Sequence, residues 1–381
     1  MTGIAAQRIL SISFSPITRD SRVRRQLSVL RDFGELTTVG YGPAPADVNK
    51  HFEVPEGAAS LPQTPRGVAR LAFHRYRATQ LRSPGEVAAL RLHTSARPYD
   101  LVVANDARAL PLAFSLAQGA PILADLHEWA PEENSSSLPW RMLIKPYMDW
   151  LCREYLPRVA AATTVNESIA GLYQERYGVL PEIVRNAGPL RALSPTSLKP
   201  GRIRLTHSGI AVPDRNLESL IDAVAALDER FTLDLYLVKG HHLATLQARA
   251  AGNARIRFHD PVPPNELPAT LNQYDLGVFL LPPQTVNYQF MLPNKLFDFV
   301  QARLGVVFGP AIETDRVIRE HGIGLITNGW STKDLVTTLR GLTDDDVVRF
   351  KTAADRSAKA LSNEADIATQ RSIVRRLLGV R

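Results

Sequence analysis

The sequence predicts an α/β protein made of two Rossmann-like, doubly wound domains facing across a cleft. Three observations predict it. Strand-like apolar runs alternate with helical patterns along the chain, the mark of parallel sheets assembled from βαβ units. At 381 residues the chain exceeds the size that one core normally serves. Finally, the turn-rich stretch 186–201, with Pro189, Pro195 and Pro200, interrupts the alternation, which then starts again. The expected domains are 1–190 and 200–362, with a C-terminal helix over 365–381 joined back to the first.

In the first half, strands are expected over 8–14, 36–41, 100–104, 121–126, 161–165 and 182–185. Helices fill the gaps. One runs over 20–33, with Val23, Leu27 and Leu30 on one face and Gly34 as its stop. Others are expected over 107–118, 140–155 and 167–177, the last closed by Gly178. The second half gives strands over 203–207, 233–238, 255–259, 276–281, 306–308 and 324–326. Its helices are expected over 216–227, 242–251, 265–273, 294–303, 313–320, 332–342 and 344–361, and a final helix over 365–378 crosses back to the first domain.

Composition narrows the function classes. Hydrophobic content of 45% and charge of 22% are those of an ordinary globular protein, and no segment is low in complexity. The longest uncharged stretch, 276–294, is broken by Pro282, Pro283 and four polar residues, so it is a poor membrane span. Arg8 stands directly before a β-like run with no apolar core and cleavage site, so no signal peptide is expected and a cytoplasmic location follows. Cys152 is the only cysteine, which excludes an internal disulfide and a cysteine-based zinc cage.

The net charge of +7 is unevenly placed: residues 66–97 hold seven arginines, Arg66 first and Arg97 last, against the single acid Glu86. Such a strip implies an acidic partner or a solvated helix face. Nearby aromatics are few (Phe73, Tyr76 and Tyr99), which argues against nucleic acid and leaves an anionic surface on the inner side of the membrane, a phosphorylated substrate, or a merely solvated helix face.

The segment 274–309 carries the clearest chemical signal. It reads as a buried strand, a polar loop, a helix opening at Pro293-Asn294-Lys295, and a second strand. Backbone N–H groups and the dipole at such a helix start favour an anion, and Lys295 adds a full positive charge. One turn on, the carboxylate of Asp298 suits two ribose hydroxyls. Phosphate and ribose together specify a nucleotide.

Several segments in order carry a family resemblance: DSRVRRQLSVLRDFGELTTVGYG, DLVVANDARALPLA, ILADLHEW, TTVNESIAGLYQERYG with EIVRNAGP, LTHSGIAVPDRNLESLIDAVAAL, IRFHDPVPPNELPATLNQYDLGVFLLPP, LPNKLFDFVQARLGVVFG and GIGLI. The chain resembles a glycosyltransferase of the GT-B fold, nearest to family 4 of retaining, nucleotide-sugar-dependent enzymes. The resemblance covers nearly the whole chain and implies a nucleoside-diphosphate sugar as donor, an unidentified acceptor, and no metal or other cofactor. It places Asp298 on the donor ribose and Asn294 and Lys295 at the donor phosphate. The family's usual first glutamate falls on Phe290, a departure at the position that commonly contacts donor sugar hydroxyls.

By resemblance Arg215, after a strand and the loop opening at Gly209, grips the diphosphate. An arginine fork suits phosphate oxygens and stays charged, and two converging cations take the place of a metal. Gly209 lets the backbone approach the ligand. By resemblance His127 lies under the donor sugar, and Glu128 beside it is expected on the acceptor or phosphate side. A zinc-peptidase reading of His127-Glu128 fails because its second histidine falls on Pro131. Ser15, Asp20 and Arg22 sit where relatives carry a glycine-rich loop on the acceptor and phosphate side; Arg22 is expected to compensate with charge. A sugar-nucleotide epimerase of the same fold and a catalytically silent nucleotide-sugar-binding protein are the competing readings. The chain lacks a P-loop, a dinucleotide fingerprint and a nucleophile elbow.

Overall fold

A computed structural model describes residues 7–93 and 97–380. Residues 1–6, on which part of the signal-peptide reading rests, residues 94–96 inside the basic strip, and residue 381 lie outside the described residues. The chain divides into two compact units, Met1–Arg185 with Asp366–Arg381, and Asn186–Ala365.

The first unit is built on a seven-stranded sheet with order β3-β2-β1-β4-β5-β6-β7. Its strands are β1 (Gln7–Pro16), β2 (Gly34–Tyr41), β3 (Lys50–Val54), β4 (Leu101–Asn105), β5 (Ile122–Leu126), β6 (Ala161–Thr164) and β7 (Glu182–Ile183). Every pairing is parallel. Helices on both faces are what a parallel sheet requires, and β4 and β5 are accordingly buried at every position. Helix Ser21–Leu30 starts where the Asp20 carboxylate accepts from the Arg22 and Val23 N–H groups. Helix Glu167–Tyr177 is capped by Asn166 and ends on Gly178 at φ +72°, a left-handed conformation that suits glycine.

The C-terminal helix Glu364–Leu378 packs Ile373 and Val374 against Ile9, Val23, Leu27 and Leu30. Arg185 anchors its start, donating its backbone N–H and its guanidinium to the Asp366 carboxylate at 2.8–3.2 Å.

In this unit one strand and two α-helices are additions to the sequence reading: β3 and the helices Pro65–Ala72 and Pro84–Leu92. The edge strand buries only Phe52 and Val54, and helix Pro65–Ala72 buries only Gly67 and Leu71, too few positions to set a period. Both helices carry proline in the first turn behind a Thr64 or Ser83 cap. The basic strip is therefore divided between two helices and the segments around them. The helix expected over 140–155 opens as a wider π turn, Trp140–Ile144, before continuing as Lys145–Tyr155.

The second unit has a six-stranded sheet, order β10-β9-β8-β11-β12-β13. Its strands are β8 (Ile203–Ile210), β9 (Phe231–Val238), β10 (Ile256–His259), β11 (Leu276–Phe279), β12 (Gly305–Phe308) and β13 (Gly324–Ile326), again paired in parallel. Side chains alternate between two cores: Val278, Leu280 and Val307 join one, Phe279, Leu281, Val306 and Phe308 the other. Helix Asn294–Gln301 lies directly on β11. A Cβ at Gly277 would sit 2.3 Å from the Phe299 ring, so this glycine sets how closely the helix approaches the sheet.

Candidate functional site

In the second unit the strand order turns back between β8 and β11, and ligands of open α/β sheets bind at the carboxyl ends of strands beside such a point. The polypeptide leaves β8 through Ile210 and makes a tight turn, Pro213–Arg215. Asn216 holds that turn in place: at φ +54° its amide donates to the Leu280 carbonyl at 3.1 Å and the Trp330 carbonyl at 2.8 Å. Opposite it, Pro293 caps helix Asn294–Gln301 and puts Lys295 in the first turn.

Between these elements lies a cavity of about 210 Å³ whose wall includes His207, Gly209, Arg215, Phe279, Tyr288 and Lys295. Three expected residues, Gly209, Arg215 and Lys295, thus come together. Among the described residues neither cation forms a salt bridge with a carboxylate, and Asp298 acts on Lys295 only through its field. Glu218, one turn beyond Arg215, pairs with His242 instead. The Arg215 guanidinium stands 5.9 Å from the Tyr288 ring centre, and the Lys295 ammonium 5.3 Å from that of Phe279. Burial and the neighbouring Arg215 push the Lys295 amine down to about 8, with Asp298 opposing. The cavity thus gathers two cations that no salt bridge neutralises among the described residues. Asn294 is exposed and Asp298 half-buried, and neither lines the cavity wall.

His207 is the residue that the sequence reading missed here. It is 2% exposed, and its Nδ1 lies 2.8 Å from the Val278 carbonyl, which fixes Nδ1–H as the donor. Burial and the adjacent Lys295 depress it to about 3, so the ring is neutral and Nε2 is an acceptor. A Cβ on Gly209 would lie 3.0 Å from that Nε2 and 3.4 Å from Lys295 Cε, so the glycine keeps the cavity open.

In the first unit, the corresponding reversal lies between β1 and β4. Ser15 donates to the Asp20 carboxylate at 2.8 Å, and Asp20 is occupied as the helix cap. The expectation for Arg22 needs correction. Its side chain is 6% exposed and turns into the sheet, meeting Asp125 at 3.1 and 2.5 Å and the Val184 carbonyl at 2.7 Å. A guanidinium so committed supplies no charge to the loop after β1. Asp125 also accepts from Gln26 at 2.9 Å and Thr163 at 2.7 Å. Burial raises the Asp125 carboxyl, but Arg22 and His127 outweigh it and hold the group well below the usual carboxylate range.

His127 and Glu128 follow β5. The His127 ring lies 3.5 Å from both Asp106 and Asp125. Burial opposes its charge, yet these carboxylates raise its pKa above the ordinary histidine value. Asp106, also missed, adopts φ +67° and accepts the His127 backbone N–H at 3.2 Å. Such a conformation in a non-glycine residue costs about 1–3 kcal/mol and clusters at functional sites. Glu128 is pushed up to about 8 by burial and by Glu133 and Asp106, while Arg108 pairs with Glu133. The end of β5 thus sets a carboxyl raised to about 8 beside a histidine that its neighbouring carboxylates raise above its ordinary value.

A much larger cavity, about 1050 Å³, opens in the same unit between the loops after β1, β2 and β3, helix Pro65–Ala72 and the turn Trp140–Ile144. Its residues are scattered over 16–144, which is why no local motif announces it. Among the described residues no helix is long and apolar enough to cross a membrane.

Residues 46–187 match the model of Glycosyltransferase Family 4. No curated protein sequence matches the chain. Solved structures are similar over nearly its whole length. Sucrose-phosphate synthase from Thermosynechococcus elongatus superposes with a TM-score of 0.74 at 13% identity, covering 98% of this chain and 99% of that one. Anabaena HepE in complex with UDP and glucose gives 0.66 at 16% identity, covering 98% and 99%. The structure described as trehalose-6-phosphate from E. coli bound with UDP-2-fluoro glucose gives 0.67 at 13% identity, covering 98% and 100%. The chain is thus a protein of the GT-B fold, similar in sequence to glycosyltransferase family 4 over residues 46–187.

Proposed function

We propose that the chain transfers a hexose-type sugar from a nucleoside-diphosphate sugar to an acceptor held on the first unit, with retention and without a metal. The observation that carries this is the pair Arg215 and Lys295, two cations that form no salt bridge among the described residues, on one cavity at the strand reversal of the second unit. A diphosphate neutralises both. As the glycosidic bond breaks, charge grows on the leaving phosphate, and cations already in place stabilise it without reorganising. Asp298, one turn along the same helix, takes the ribose hydroxyls. His207, fixed as a neutral acceptor, receives a hydrogen bond from the ligand or from Lys295.

For retention the acceptor hydroxyl attacks from the face on which the phosphate leaves, and that phosphate takes its proton. His127, which follows β5 in the first unit, is assigned to the reacting sugar by the family resemblance alone. UDP is the first nucleotide to test, because HepE and the E. coli structure hold UDP or a UDP-sugar. The chain works at the inner face of the membrane, where its acceptor is reached.

A thermal-shift panel of UDP, GDP, ADP and dTDP tests the donor reading. One nucleoside diphosphate at 100 times its Kd adds about 2.7 kcal/mol of apparent stability to the wild type. Arg215→Ala and Lys295→Ala each remove most of the shift. A wild type unmoved by all four overturns the diphosphate assignment.

A further inference from the structure

The geometry points to a membrane-docking face around the mouth of the large cavity in the first unit, seated on an anionic bilayer so that the cavity opens to lipid. The inference rests on the glycosyl-transfer reading only in calling the occupant an acceptor; the docking stands on the surface itself. Helix Pro65–Ala72 and the turn Trp140–Ile144 pack on each other and give the cavity an apolar wall of Val68, Leu71, Trp140, Leu143 and Ile144.

The apolar surface does not stop at that wall. Phe73 is 76% exposed, Met142 67%, Leu138 58% and Val68 40%. Single exposed apolar side chains need no explanation, but these four belong to the two contacting segments that wall the cavity: Val68 lines it, Phe73 follows its helix, and Leu138 and Met142 are chain neighbours of the lining residues Pro139 and Leu143. Arg66, Arg70, Arg75 and Arg141 stand on the same segments, and none of their side chains has an ion-pair partner among the described residues. No acid occurs over residues 64–79 or 135–145.

Unpaired arginines around apolar tips are complementary to anionic headgroups with acyl chains beneath them. Inside, the cavity carries polar groups as well: Arg19, Arg108, Glu53 and Glu56, with Arg108 Nε buried and unpartnered. Carboxylates suit hydroxyls and guanidinium groups suit phosphate. An occupant with an apolar chain and a hydroxylated, phosphate-bearing head matches both halves, and such a molecule resides in a bilayer.

The test is co-sedimentation of the full chain with vesicles of phosphatidylcholine alone or mixed with phosphatidylglycerol, with UDP affinity measured by calorimetry on the same preparations. The expected result is binding to the phosphatidylglycerol vesicles that weakens as salt rises. Arg66→Ala and Arg75→Ala lower it about fivefold each. Phe73→Glu with Met142→Glu lowers it at least tenfold. These side chains are exposed, and circular dichroism and UDP affinity are expected to stay at wild-type values. Equal sedimentation with both vesicle types, or wild-type sedimentation of the Phe73 and Met142 double variant, overturns the inference. Vesicle binding with no binding of UDP, GDP, ADP or dTDP leaves it standing and refutes the donor site; nucleotide binding without vesicle binding does the reverse.

Discussion

Replacing Lys295 with alanine separates a working phosphate ligand from a merely half-buried lysine. At pH 7 an amine whose pKa is about 8 is mostly charged, so the variant loses a charge-assisted contact in full. That contact contributes about 1.5–3 kcal/mol, or roughly a 10- to 150-fold change in Kd. The pH dependence is the sharper signature. Burial and Arg215 hold the free amine at about 8, and a bound diphosphate raises it. The ligand therefore binds the protonated form, and affinity falls as pH rises through the free-state value. Linkage makes the loss about tenfold between pH 7 and pH 9. Calorimetric titration of UDP across that range reads it, and Lys295→Ala corrects for titration of the ligand itself. Parallel slopes in the two proteins would falsify the assignment of Lys295 to the phosphate.

Further perturbations address neighbouring claims. Gly209→Ala puts a methyl group 3.0 Å from His207 Nε2 and 3.4 Å from Lys295 Cε, and is expected to weaken UDP binding about tenfold with little change in Tm. Asp125→Ala strands the buried Arg22 guanidinium and is expected to cost about 3–5 kcal/mol in urea unfolding. The wild-type carboxyl titrates below its unfolded value, so this stabilisation is present at neutral pH and is lost as pH falls below about 4. Asp366→Ala frees the C-terminal helix from Arg185, and faster hydrogen exchange over Glu364–Leu378 is the expected readout.

Legibility in the sequence followed how local each signal is. Helix Glu167–Tyr177 was readable to the residue because its Asn166 cap, apolar positions and Gly178 stop lie within one short segment. Lys295 and Arg215 were readable as candidates because each begins an element after a strand. Their meeting in one cavity depends on Gly277 and Asn216, which act on the far side of the sheet or through backbone carbonyls. Arg22 was misread because its partner, Asp125, lies 103 residues away and is met only through the parallel sheet. His207 left a signal that went unused, a histidine two residues before Gly209 at the end of an apolar strand. Asp106 is identified by its backbone angle, which sequence does not display. The large cavity draws on segments from Pro16 to Ile144 and could be assembled only in three dimensions.

The most direct measurement of sugar transfer is incubation of the chain with labelled UDP-sugars, GDP-sugars, ADP-sugars and dTDP-sugars and a membrane lipid and saccharide extract. Label is expected to move from one donor into an extractable acceptor, and Arg215→Ala and Lys295→Ala are expected to stop the movement. Saturable binding of a donor with no transferred label would contradict the enzyme reading, and conversion of the free sugar nucleotide without transfer would replace it with epimerisation.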